Sequence, residues 1–181
     1  MGLRNTAERY GSAARALHWS VAALVFSQIA GGSVLEELPR RTALRAFAFD
    51  AHESVGLAVL GLVAVRIAWR LVNVAPVATG HGWQRLAAAL AHFALYALMV
   101  AVPVVGYAMV DANGFGVVFF GVKGPDLMAA DKNLAKRLAE VHETLAWLLV
   151  ALAALHVAAA GWHHCALRDG TLARMRRRRS S

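Results

Sequence analysis

Charge is scarce in this chain, and cysteine scarcer still. Only 17% of its 181 residues are charged, while 59% are hydrophobic; a soluble domain carries about a quarter charged residues. The shortage excludes a soluble globule, and the low charge excludes a disordered chain. A lone cysteine, Cys165, excludes a disulfide scaffold. Two stretches open like zinc-protease helices, His52-Glu53-Ser54-Val55-Gly56 and His142-Glu143-Thr144-Leu145-Ala146. Both lack the second histidine of an HExxH site. No low-complexity segment stands out beyond the terminal Arg176–Arg179 run.

What is present is four long apolar runs. Crossing the ~30 Å hydrocarbon core takes about 20 apolar residues in a helix, and backbone groups in lipid must be satisfied within the segment. The runs predict helices over about 14–34, 51–71, 86–110 and 140–165. The expected fold is therefore all-α, a four-helix transmembrane bundle forming one domain over 1–181. Pro103 falls inside the third run and predicts a kink. The intervening 35–50, 72–85 and 111–139 are rich in Gly, Pro, Asp, Asn and Lys and read as loops, with His81 in one of them.

The net charge of +8 is a topology signal. Four crossings put both termini on one side. That side carries twelve Lys and Arg against two acids, Glu8 and Asp169; the other carries seven against nine. The excess of cations places both termini in the cytoplasm, where the arginines can meet anionic lipid. No nucleic-acid partner is expected. The N-terminus looks like a signal peptide, but its apolar run is long for one and cleavage would remove His18; the segment is expected to be retained. Met1-Gly2-Leu3-Arg4-Asn5-Thr6 also fits the short myristoylation pattern, which carries little weight.

Eight histidines remain, and ionisable residues inside a membrane are functional candidates. His142 and His156 lie fourteen residues apart. At about 100° and 1.5 Å per residue they share a helix face and sit ~21 Å apart along the axis. One is near each membrane surface. His18 falls at the inner level and His52 at the outer, so the levels pair His18 with His156 and His52 with His142. Bundles hold cofactors with inward side chains, and two imidazoles on opposite faces of a porphyrin make a six-coordinate haem. Gly56, Ala159 and Ala160 leave room for a flat ring or for close helix packing. Zinc, which prefers four compact ligands, and simple hydrogen bonding of the histidines are the competing readings. His92 has no partner at its level, which suggests packing or a hydrogen bond to cofactor. His163-His164-Cys165 looks metal-like, but adjacent helical residues diverge, and it reads as structural or interfacial. The openings Ala51-His52-Glu53-Ser54 and Val141-His142-Glu143-Thr144 hint at a repeat, with Glu53 and Glu143 facing water.

These residues resemble the bacterial cytochrome b561 family, in particular its superoxide oxidase type. The resemblance runs over nearly the whole chain. It is carried by Ala16-Leu17-His18-Trp19, His52-Glu53-Ser54-Val55-Gly56, Leu90-Ala91-His92-Phe93-Ala94-Leu95-Tyr96, Val102-Pro103-Val104-Val105-Gly106, His142-Glu143-Thr144-Leu145-Ala146 and His156-Val157-Ala158-Ala159-Ala160-Gly161-Trp162-His163-His164. It implies a bacterial inner-membrane cytochrome with two haem b groups, whose axial-ligand positions fall on His18, His52, His142 and His156. It further implies oxidation of superoxide at the periplasmic side and reduction of ubiquinone near the inner end of the fourth helix. His163 is the chosen quinone contact, and Trp19 a weaker one. A basic entrance would favour an anionic substrate. The outer side is net acidic, but Lys123, Lys132, Lys136 and Arg137 could form a local patch, or simply be solvated. Two other functions stay open: a passive electron-transfer subunit serving a periplasmic redox protein, and a haem-free transporter or structural bundle.

Overall fold

The computed structural model describes residues 2–76 and 82–175. His81 and Arg176–Arg179, read above as a loop residue and a terminal run, lie outside the described residues. Four helices make the body: α1 (Ser12–Leu35), α2 (Ala43–Leu71), α3 (Gly82–Ala112) and α4 (Lys132–Trp162). All four are long and apolar enough to cross a membrane. The chain is an all-α four-helix membrane bundle.

All four helices begin earlier than the apolar runs indicate, α2 and α4 by the most. α2 starts at Ala43 rather than near 51, and α4 at Lys132 rather than near 140. Both starts are capped. The Thr42 side chain accepts from the Arg45 N–H at 3.2 Å, and Asp131 Oδ1 accepts from the N–H groups of Asn133 and Leu134 at 2.8 and 3.1 Å. Each cap satisfies donors that a helix N-terminus otherwise leaves open. The 29 residues of α2 extend about 43 Å, well past the ~30 Å of hydrocarbon. Charged residues read as loop are therefore the wet first turns of helices. Pro103 does not end α3, which continues to Ala112. Beyond α4 the chain makes a π-helical turn, His163–Leu167, and a short 3-10 turn, Leu172–Met175.

The start of α1 and the turns after α4 share one end of the bundle, where Trp19 bonds the Met175 carbonyl; it is called the terminal end below. The opposite, hairpin end carries a small element within the stretch read as a loop. Strands β1 (Val118–Phe119) and β2 (Val122–Lys123) pair antiparallel, with Phe119 opposite Val122. Phe120 and Gly121 between them both take positive φ, 46° and 85°, the twist a two-residue hairpin demands. A phenylalanine seldom adopts it. α2 supplies the restraint: Phe120 N–H donates to Ser54 Oγ at 2.8 Å, and Val118 N–H donates to Glu53 Oε2 at 3.0 Å. Glu53 is thus not a water-facing residue but a fastener of the hairpin, while Glu143 is exposed. Asp111, buried at the end of α3, ties the next stretch by accepting from the N–H groups of Leu127 and Met128.

α3 packs along α4, α1 along α2, and α2 along α3. The buried core is small: Val21, Val25, Val59, Val63 and Leu149. Leu149 is seven residues from both His142 and His156, and Val25 and Val59 are seven past His18 and His52. The core therefore plugs the middle of the bundle, about 10 Å from either imidazole level. Large apolar side chains such as Phe26, Phe93, Trp147 and Leu155 are exposed, as a lipid-facing surface requires.

Candidate functional site

The four histidines singled out by spacing meet in two pairs. His18 of α1 and His156 of α4 have ring centres 6.4 Å apart, with planes at 76°. His52 of α2 and His142 of α4 have ring centres 6.5 Å apart at 77°. Two imidazoles on one metal, each bonded at about 2 Å with about 1.1 Å from nitrogen to ring centre, stand about 6 Å apart. Both pairs have that separation. The backbones of α1 and α2 approach α4 little compared with the packed pairs, so the imidazoles reach towards each other between helices that do not themselves touch closely. Among the described residues no three His, Cys, Asp or Glu converge as a metal cluster. That removes the support for zinc.

The hairpin-end pair carries the marks of a prepared ligand site. His142 Nδ1 lies 3.0 Å from the Val102 carbonyl. A carbonyl only accepts, so Nδ1 carries the proton and the Nε2 lone pair is free for a metal. Gly106, one turn past Val102 on α3, makes this approach possible: a Cβ there would sit 3.0 Å from His142 Cε1. Opposite, His52 Nδ1 is buried without a hydrogen-bond partner, a cost a closed packing arrangement would avoid. Gln28 of α1 steadies this stretch, donating from Nε2 to the His52 carbonyl at 2.8 Å. Gly56 accommodates that amide, since a Cβ at Gly56 would lie 3.1 Å from it. A buried imidazole nitrogen without a partner and a facing imidazole whose Nε2 is free for a metal fit a haem held between two histidines.

The terminal-end pair is built differently. Arg66 of α2 donates from Nη1 to His18 Nδ1 at 2.8 Å, and its guanidinium lies 5.6 Å from the centre of the Tyr96 ring. A third imidazole is also present. His92 of α3 has its ring centre 5.5 Å from that of His156. The expectation that His92 lacks a partner is corrected: three histidines share this level. Helices α3 and α4 are directly packed, so His92 flanks His156 rather than facing it across a gap.

The sequence-assigned quinone residues lie at the same end but are already engaged. Trp19 is half exposed, and its Nε1–H donates to the Met175 carbonyl at 3.1 Å. His163 opens the π turn and contacts Asp169 Oδ2 through Nδ1 at 2.5 Å; Thr171 N–H donates to the other carboxylate oxygen at 3.0 Å. Partial burial pushes the Asp169 carboxyl up, but the bonds from Thr171 and His163 more than offset it and hold it at about 2. Sequence reading missed Asp169, because a lone carboxylate after a helix gives no sign of which histidine it reaches. His164 and Cys165 are exposed. Of the basic residues at the hairpin end, Lys123 is paired with Asp126 at 3.0 Å. Lys132, Lys136 and Arg137 occupy the first two turns of α4 and are exposed.

Lipid-length helices with two facing pairs of imidazoles define a membrane bundle built around a cofactor. Comparison with known proteins makes the class specific. The family model for prokaryotic cytochrome b561 matches residues 9–178. The chain is 32% identical over 184 residues to cytochrome b561 homolog 2 of Escherichia coli (strain K12), covering all of this chain and 98% of that one. It is 28% identical over 165 residues to cytochrome b561 homolog 1 of the same organism, covering 90% and 94%. It is 29% identical over 170 residues to a protein of Yersinia pestis named probable superoxide oxidase CybB, covering 93% and 96%. The chain belongs to the prokaryotic cytochrome b561 family. It is a multi-pass membrane b-type cytochrome, binds b-type haem and moves electrons across the membrane.

Proposed function

We propose that this cytochrome is a single domain of the bacterial inner membrane holding two haem b groups, one between His52 and His142, the other between His18 and His156. The observation that carries this reading is the equal separation of the two imidazole pairs, 6.5 and 6.4 Å between ring centres. Haem b supplies one-electron transfer when bound. His18, His52, His142 and His156 would hold the groups through ring nitrogens, which would favour electron transfer without direct dioxygen binding. Val102 fixes the His142 ring through Nδ1 and leaves Nε2 for the iron. The buried valines and Leu149 exclude water between the levels.

The best-supported activity is oxidation of superoxide at the hairpin end, which is taken as periplasmic, with reduction of ubiquinone at the terminal end. Two superoxide ions release two electrons and leave two dioxygen molecules; the quinone takes both electrons and two protons. The name of the Yersinia pestis relative supports this substrate. Lys132, Lys136 and Arg137 would steer the anion, with Lys123 contributing less because of Asp126. His163, oriented by Asp169, would offer a ring nitrogen to the quinone, with Trp19 alongside. The test is superoxide-driven reduction of a quinone by the purified protein. Turnover supports the reading; no turnover, with a tightly copurifying periplasmic redox protein that reduces the haem, would make it a passive electron-transfer subunit.

A further inference from the structure

Among the described residues, the terminal end holds a cation inside the bundle with no anion paired to it. Arg66 lies within α2, in a segment fit to cross the membrane. Among the described residues the ion pairs are Lys123–Asp126 and His163–Asp169, so no carboxylate neutralises Arg66. A guanidinium in an apolar surrounding is costly unless paired. Its present acceptor is the Nδ1 lone pair of His18. Arginine has only donors, so His18 must carry its proton on Nε2 in this arrangement. Coordination of a metal through Nε2 moves the proton to Nδ1. The contact then sets one N–H against another, and Arg66 must turn to a different acceptor.

A second donor nearby lacks an acceptor as well. Trp69 is three residues further along α2 and on the same side of the helix. Its Nε1 is buried and has no hydrogen-bond partner. A guanidinium without a counter-anion and an unpartnered indole N–H within one turn call for an anion with several acceptor oxygens. Carboxylate matches a guanidinium in a two-pronged bond, and haem b carries two propionate carboxylates.

We propose that Arg66, aided by Trp69, forms the propionate anchor of the terminal-end haem. This inference rests on the haem assignment made above. Ligand binding and charge pairing are coupled at this site: coordination of His18 releases Arg66, and the same haem supplies the carboxylate that receives it. Among the described residues no arginine bonds a histidine of the hairpin-end pair, where the Val102 carbonyl sets the His142 proton.

The test uses the haem-loaded protein in redox titrations that resolve the two haems. In R66Q a propionate charge is left uncompensated near the iron and favours the ferric form. The terminal-end midpoint should shift downward while the hairpin-end midpoint stays. W69F should give a smaller shift of the same sign. R66K, which keeps the charge but loses the fork, should fall between wild type and R66Q, with a displaced propionate bending band in resonance Raman spectra. Selective loss of the terminal-end haem in R66Q that R66K restores also supports the anchor. An unchanged terminal-end midpoint and unchanged haem content in R66Q would overturn it. So would a terminal-end loss that R66K leaves unrestored, or a propionate band in R66K identical to wild type. Wild-type protein without any haem would overturn the underlying assignment as well.

Discussion

The two imidazole pairs have nearly the same separation and opposite preparation. At the hairpin end, a backbone carbonyl on α3 fixes the His142 proton and a glycine admits the ring. At the terminal end, an arginine occupies the corresponding nitrogen of His18, and His92 crowds His156. Nearly equal spacing with unequal surroundings shows how one bundle can give two imidazole pairs different settings. If the proposed imidazoles are the ligands at both levels, differences in potential come from hydrogen bonding, burial and nearby charge. The hairpin-end site is governed by a neutral carbonyl and the terminal-end site by a cation.

The largest effect expected is selective loss. His142→Ala should remove the hairpin-end haem and leave the terminal-end one, halving the haem per chain in a pyridine haemochrome assay; His18→Ala should do the reverse. Equal loss of both haems in each variant would break the independence of the levels. Next comes Gly106→Ala. The added methyl would press on His142, and overpacking of this kind costs about 1–3 kcal/mol. Hairpin-end occupancy should fall, measured by difference spectra, with the terminal-end haem unaffected.

A smaller effect separates the ends by pH. The Asp169 carboxyl is held at about 2 against an ordinary 3.8. A depressed carboxylate contributes stability above its unfolded value, and that contribution is lost as pH falls through the folded value. Thermal unfolding of wild type and Asp169→Asn should therefore differ above about pH 4 and converge towards pH 2. Quinone reduction should drop in Asp169→Asn without a change in either haem spectrum. The smallest effect is expected at the surface. Replacing Lys132, Lys136 and Arg137 with Ala should slow superoxide turnover modestly and flatten its salt dependence, because exposed charges are screened. Adding Lys123→Ala should change little more.

Much of this was legible in the sequence, for identifiable reasons. Uncharged runs gave the number of helices, and the fourteen-residue step from His142 to His156 gave two levels on one face. Periodicity was blind to other features. The starts of α2 and α4 were hidden because Arg45 or Lys136 can sit on a helix that has left the hydrocarbon, where charge carries little cost. Only the caps Thr42 and Asp131 mark those starts. The hairpin was missed because Phe120-Gly121 is a poor hairpin turn by composition, held by Ser54 some 66 residues away in sequence. His92 had no partner by level because level fixes height and not which neighbours pack together. Gln28, Arg66 and Asp169 act through contacts across helices, and a single chain read in order does not display them.

The central claim is that two histidine pairs each clamp a haem. It is tested most directly by the haem stoichiometry of the purified protein together with a redox titration. The account predicts two b-type haems per chain, both six-coordinate, oxidised and reduced in two one-electron steps. One haem per chain, or a spectrum showing an open axial position in either haem, would contradict it.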